Sequence, residues 1–499
     1  MKKQFENFLL SPIYPLLLSV YPILTLFTTN IYEISFSVLL RPLFFSFLVG
    51  VLIFGGMQVF FHDWHKSAFF ATVVIFFLGF YGHVKSFLDA KEVSGAFIYI
   101  LIGGLFIFSL LLFFEKKNKG KIVYASLAPS INLIAIILLL FPLAKISQHY
   151  IAKKIAFSSV GEITNSFHPL DVSNLETLPD IYYIIPDAHG RSDILKEIYD
   201  YDNSEFIAEL EELDFYVAKC SQSNYPITLL SLTSSLNGNY IPELNEHFTP
   251  EEDDILYLFA VLRNSSVHHI LSKAGYETVA FSTGFPWAEM SNADIFLSPS
   301  SGAINEFEIM FLQTTFAQFL DDIAIVDFKN IRAERYRERT RLVFDSIPDI
   351  VEMPGPKFVF IHLILPHHPY GFDAMGNAIN PAQVSVEEGY SNQATYFEHE
   401  IVKNIKIIIE QSESSPIIII QGDHGPSSDR SDQHFPILNA YYFPEHTDSL
   451  YATISPVNTF RLVFNKYFEE DYPLLDDGSY SWGPLHGYDF IQVENNCEE

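Results

Sequence analysis

The chain has 499 residues, enough for two or three domains, and its charge is unevenly divided. Residues 1–150 carry 11 Lys+Arg against 6 Asp+Glu, whereas residues 151–499 carry 19 against 54, so the second part avoids nucleic acid and repels anionic lipid unless divalent cations intervene. The two cysteines, Cys220 and Cys497, exclude a multi-disulfide framework, and spacing alone leaves open whether they pair.

Residues 1–150 divide into about five apolar segments, near 8–27, 43–61, 68–82, 95–114 and 122–146, each of roughly spanning length, about 20 residues. The third is short and the first carries Pro12, Pro15 and Pro22. An apolar pattern that recurs does not fit a cleavable signal peptide. The densest basic cluster, "EKKNKGK" at 115–121, falls on the same side as Met1-Lys2-Lys3 and is taken as cytoplasmic. Five spans then predict a multi-pass cell-membrane protein with residues 151–499 outside the cytoplasm. "HDWHK" at 62–66 looks like a metal pair but reads better as an interfacial loop with a Trp anchor.

Residues 151–177 are mixed and polar and read as a linker to a soluble domain over 178–495. "PDIYYIIPDAHGRSDIL" predicts a strand over 181–185, a turn and a helix starting near Ser192. Helical patterns follow over 203–213 and 253–274, then a short strand over 278–281. "ERYRERTRLVFDSI" predicts a charged helix with a solvated face. "KFVFIHLIL" is a second apolar strand running into "PHHPY", and a helix near 395–410 precedes "IIIIQGDHG". Four consecutive isoleucines read as a strand buried on both faces. Strands alternating with helices predict an α/β fold. Its sheet is mainly parallel, carries helices on both faces and follows an all-α membrane domain of about five transmembrane helices.

Three of these strands end in the same chemistry: Asp187 after the first, His367 and His368 after the second, Asp423 and His424 after the third. Carboxyl ends of parallel strands share one sheet edge, where such folds place ligands. Carboxylate and imidazole donors together suit a divalent ion such as zinc or manganese. A nucleophile is offered by the hydroxyl-rich loop "CSQSNYPITLLSLTSSLNG", which contains Ser223, Thr228 and Ser231. A hydroxyl at a helix N-terminus would sit where backbone N–H groups and the helix dipole hold an anion.

In this order, "IIPDAHGRSD", "SNYPITLLSL", "HLILPHHPY" and "IIIIQGDHG" resemble the alkaline phosphatase/sulfatase superfamily. With the apolar N-terminal part, the chain looks most like its membrane-anchored branch, the lipoteichoic acid synthases and phosphoethanolamine transferases. The resemblance covers about residues 178–490 and the anchor. It implies Asp187, Thr228, Asp423 and His424 as ligands of one divalent metal ion (Mn, Zn, Mg or Ca). Thr228 would also be the covalently modified nucleophile, with Ser231 and Ser223 as rivals. It further implies a catalytic role for His367 and substrate contacts for His362 and His434. Arg191 could meet a phosphate or form a salt bridge, and Asp193 could cap or orient the first helix. His368 reads as a neighbour that points away from the site.

The reaction implied is a two-step transfer of a phospho-headgroup, phosphoglycerol or phosphoethanolamine, through a phospho-threonine. The donor would be a phospholipid headgroup and the acceptor a lipid or cell-envelope glycan. A sulfuric or phosphoric ester hydrolase with the same site is the alternative, and a non-catalytic envelope protein a third. The segment from Cys220 to Gly238 contains no Arg and no C/S-x-P-x-R pattern, which argues against a formylglycine sulfatase.

Overall fold

Among the described residues, the first third of the chain carries the apolar helices α1 (Tyr14–Thr29), α2 (Ser37–Phe61), α3 (Trp64–Asp89), α4 (Ala96–Lys117) and α5 (Tyr124–Ser159). The structure, a computed structural model, describes all residues except 1–6, 118–123, 160–166, 176, 245–247, 249–254, 301–303, 427–431, 483–487 and 498–499. The terminal lysines, part of the basic loop and part of the expected linker therefore lie outside the described residues. Among the described residues four helices, α2 to α5, are long and apolar enough to cross a membrane. The expected first span is shorter: α1 has 16 residues, about 24 Å against the roughly 30 Å hydrocarbon core. α3 begins before its expected start because Asp63 caps it, accepting from Lys66 N–H at 2.8 Å. "HDWHK" is thus a helix junction, with His62 in the left-handed conformation that ends α2.

Beyond α5 the chain builds an α/β unit. β1 (Ile181–Pro186) is followed by α6 (Ser192–Tyr199), α7 (Ser204–Glu212), β2 (Tyr216–Val217) and α8 (Thr228–Asn237). Next come α9 (Ile255–Arg263), α10 (Ser266–Lys273), β3 (Glu277–Phe281) and β4 (Ile295–Leu297). The single helical pattern expected over 253–274 is thus two helices, broken at Asn264 and Ser265.

The chain forms two compact units, Met1–Ile151 with Ser301–Arg332, and Ala152–Ser300 with Ala333–Glu499. Residues 304–332, which lie within the stretch expected as the soluble domain, therefore group with the helical unit. It carries α11 (Glu306–Thr314) and α12 (Gln318–Asp322). Tyr81 of α3 donates to Asp322 at 2.8 Å, and the Phe316 N–H donates to Leu78 O at 2.7 Å. Gly82 permits this approach, since a Cβ there would meet Gln313 O at 1.9 Å.

The chain continues with α13 (Phe328–Val351), β5 (Lys357–Leu363), α14 (Val386–Gln411), β6 (Ile417–Gln421), β7 (Asn439–Tyr442) and α15 (Pro456–Tyr467). The small hairpin β8 (Ser479–Trp482) and β9 (Phe490–Val493) follows. The seven-stranded sheet runs β2-β7-β6-β1-β5-β3-β4. β6, β1, β5, β3 and β4 are parallel, and β7 and β2 extend one edge antiparallel. Two cores flank it. Tyr183, Phe360 and Ile419 enter one, and Tyr182, Ile361 and Ile420 the other, which is why the strands read as continuous apolar runs. The charged helix α13 departs from its expected solvated face at Arg337. That guanidinium is buried and donates to Gly371 O at 3.3 Å and Ile379 O at 3.1 Å. Cys220 and Cys497 form a disulfide.

Candidate metal centre and nucleophile

Sheet register assembles the centre. Asp187 is the first residue beyond β1, and its N–H donates to Leu363 O of β5 at 2.9 Å. β1 pairs Ile185 with His362 of β5 and Ile184 with Ile420 of β6. Carried onward, the second pairing brings Asp187 level with Asp423. The turn after β1 passes through Ala188 at φ 60. Its N–H and that of His424 both donate to Asp423 Oδ1 at 2.9 Å, so one carboxylate oxygen is fixed and the other is left facing the centre.

Ligand atoms of Asp187, His362 and Asp423 all lie within 4.8 Å of one another, and all three residues are buried. His424 adds a donor: its Nε2 is 3.5 Å from Asp423 Oδ2 and 3.7 Å from Asp187 Oδ1. Asp187 Oδ1, Asp423 Oδ2 and both ring nitrogens of His362 are buried without a hydrogen bond. His362 Nε2 is 3.4 Å from Asp187 Oδ2. Two buried carboxylates so close together are costly unless a cation is shared between them. The mixed oxygen and nitrogen donors fit a divalent ion. Burial works against ionisation of Asp187, yet the imidazoles of His367, His362 and His424 outweigh it and hold the carboxyl below its usual range. Burial also disfavours the charged form of His424, but Asp423, Asp187 and the Gly425 carbonyl prevail and raise it.

Thr228 opens α8. Pro226 precedes it, Ile227 is extended, and the helix closes at Gly238 in the left-handed conformation (φ 56), where a Cβ would strike the Phe167 ring. Thr228 Oγ1 is 3.4 Å from His424 Nε2. It therefore pairs a hydroxyl with the N–H groups of a helix start beside the ligand group. Ser223 Oγ is buried without a hydrogen bond, and Ser231 is buried within α8.

The remaining expected residues take different places. His434 lies behind His424, its Nε2 3.1 Å from His424 Nδ1, which also meets Gly425 O at 2.9 Å. This is the position of a partner that orients a ligand. His367 is half-buried, with Nδ1 2.8 Å from His368 O. The exposed His368 packs its ring against it, 4.1 Å between centroids. Arg191 is engaged by both oxygens of Asp193, at 2.7 and 2.8 Å, and by Ser221 O at 3.2 Å. His362, expected as a substrate contact, groups with the ligands, because β5 is the immediate neighbour of β1. His189 was not singled out in the sequence. It is buried beside the turn with Nε2 3.2 Å from Glu398 Oε1, and its place inside "PDAHGRSD" was the available signal.

No family model and no curated protein matches the chain. Among solved structures it is similar to the C-terminal periplasmic domain of EptC from Escherichia coli, at 14% identity and TM-score 0.38, covering 66% of this chain and 94% of that one. A membrane-embedded likeness is the integral membrane protein lipooligosaccharide phosphoethanolamine transferase A from Neisseria meningitidis, at 11% identity and TM-score 0.36, covering 88% and 90%. A protein in the alkaline phosphatase superfamily from Vibrio parahaemolyticus matches at 9% identity and TM-score 0.39, covering 66% and 81%. At these identities and scores, what the chain can do is read from its own residues.

Proposed function

We propose that the chain is a membrane-anchored, metal-dependent transferase of the alkaline phosphatase/sulfatase superfamily. It moves phosphoglycerol or phosphoethanolamine from a phospholipid to a lipid or cell-envelope glycan, through a phospho-threonine on Thr228. The observation that carries this reading is Thr228 Oγ1 at a helix start, 3.4 Å from His424 Nε2, beside buried carboxylate oxygens that lack hydrogen bonds.

Asp187, His362, Asp423 and His424 would hold one divalent ion, with Thr228 adjoining. Such an ion supplies Lewis acidity toward the phosphoryl oxygens and eases deprotonation of the threonine hydroxyl. Thr228 Oγ then bonds to phosphorus as the bond from phosphorus to the diacylglycerol oxygen breaks. The departing oxygen takes up the proton that Thr228 gives up, a transfer for which His367 is the candidate. N–H groups at the start of α8 receive the non-bridging oxygens. In the second half-reaction an acceptor hydroxyl attacks phosphorus, loses its proton, and Thr228 is released and reprotonated.

A catalytic unit outside the cytoplasm is supported by the Cys220–Cys497 disulfide, since such bonds persist in oxidising compartments. The acidic charge of residues 151–499 supports a role without nucleic acid. The test is acceptor dependence: full-length protein is given headgroup-labelled phosphatidylethanolamine or phosphatidylglycerol, with and without lipid or glycan acceptors. Label moving onto an acceptor supports the transferase. Label released only to water at an acceptor-independent rate would replace it with the hydrolase.

A further inference from the structure

The helical unit carries a half-open cavity of about 580 Å³, within the roughly 300–1,000 Å³ typical of small-molecule sites. α1, α2, α3 and α11 build its wall, which is almost wholly apolar, with Phe45, Ile53, Leu78 and Phe311 among its side chains. Space exists partly because Gly79 faces it: a Cβ there would meet only Pro22, at 3.8 Å.

One charged pair belongs to this wall. Arg41, near the start of α2, donates through Nε and Nη2 to the two carboxylate oxygens of Glu308. Glu308 is fixed by a capping box, exchanging 2.9 Å hydrogen bonds with Asn305. The Arg41 side chain stays 45% exposed, and its Nη1 makes no hydrogen bond among the described residues. Ionisable groups on membrane helices are costly and mark binding sites. An arginine with a spare N–H suits a phosphate, while the carboxylate beside it cancels the net charge and suits a cation.

We propose that this cavity receives one acyl chain of a zwitterionic phospholipid, with the headgroup phosphate at Arg41 and its ammonium toward Glu308. The chain fits because the wall belongs to helices apolar enough to cross a membrane, two of the four being α2 and α3. The zwitterion fits because Arg41 and Glu308 already neutralise one another, so an anionic headgroup would bring a charge that the pair does not offset. The site stands apart from the proposed transfer reaction, and its test reads lipid capture, not turnover.

The full chain is placed in bilayers containing phosphatidylethanolamine with a photoreactive diazirine on the acyl chain, irradiated, and the labelled peptides mapped. Label concentrates on α2 and α11, and unlabelled phosphatidylethanolamine competes better than phosphatidylglycerol. Gly79→Leu lowers labelling about tenfold, the cost of excluding two methylenes. Val49→Trp, at a half-exposed wall position that tolerates bulk, lowers it as well. Gly103→Leu, where a Cβ meets nothing within 4 Å, leaves it unchanged. Glu308→Gln turns the preference toward phosphatidylglycerol. Labelling spread evenly over α4, equal competition by both lipids in the wild type, or labelling unmoved in both cavity variants would overturn the proposal.

Discussion

Leu52 and Ile419 are both aliphatic, and the two units use them in opposite ways. Leu52 on α2 is 64% exposed, as are many neighbours of its kind, whereas Ile419 in β6 is fully buried. Polar groups differ in the reverse sense. In the helices, Ser46 and Ser19 return their hydroxyl protons to backbone carbonyls, Ser19 O at 2.6 Å and Leu16 O at 2.8 Å. In the α/β unit, Asp187, His362 and Asp423 keep buried atoms with no hydrogen bond. Apolar surface is turned outward where the surroundings are apolar, and the unpaired carboxylate and imidazole atoms that cluster at one point of the α/β unit are of the kind a bound ion satisfies.

This contrast can be broken at the ligand group first. His362→Ala should weaken metal affinity more than the ~10–100-fold typical of losing an outer-shell partner, measured by titration of the apo protein. Unchanged affinity with a raised KM would return His362 to a substrate contact. Next, Ile419→Ala should cost about 2–5 kcal/mol in denaturant unfolding, while Leu52→Ala in a bilayer should stay within about 0.5 kcal/mol. Equal costs would remove the distinction between the units. Cys497→Ser should lower stability by about 2–4 kcal/mol through loss of a long cross-link, and a reducing agent should lower the wild type to the same level. Arg191→Ala should cost about 1–3 kcal/mol, because loss of its buried guanidinium leaves Ser221 O and Asp193 without their partner. A large rise in KM there would instead show that Arg191 leaves Asp193 to meet phosphate.

Much of the α/β unit was legible in the sequence because β1, β5 and β6 are buried on both faces and appear as runs dominated by apolar residues. β7, only Asn-Ala-Tyr-Tyr, and the three-residue β4 have no such run, and their pairing depends on the rest of the sheet. The start of α14 was readable but passed over: Ser385 accepts from Glu388 N–H at 3.1 Å, a cap three residues ahead of an acid, placing the helix start well before 395. Asp187 and Asp423 stood out at strand ends. The grouping of His362 with them did not, since it follows from the β1–β5 register, a long-range fact that no local pattern carries. Nor does local pattern show that 304–332 packs with the helices, or that Arg337 is buried.

The central claim is that Thr228 becomes covalently modified. Intact mass of the full chain, incubated with Mn²⁺ or Zn²⁺ and phosphatidylethanolamine or phosphatidylglycerol, tests it most directly beside Thr228→Ala. The account predicts a gain matching one phospho-headgroup on the wild type, located at Thr228 by fragmentation, and none on the variant. An adduct on Ser223 or Ser231, or acceptor turnover undiminished in Thr228→Ala, would contradict it.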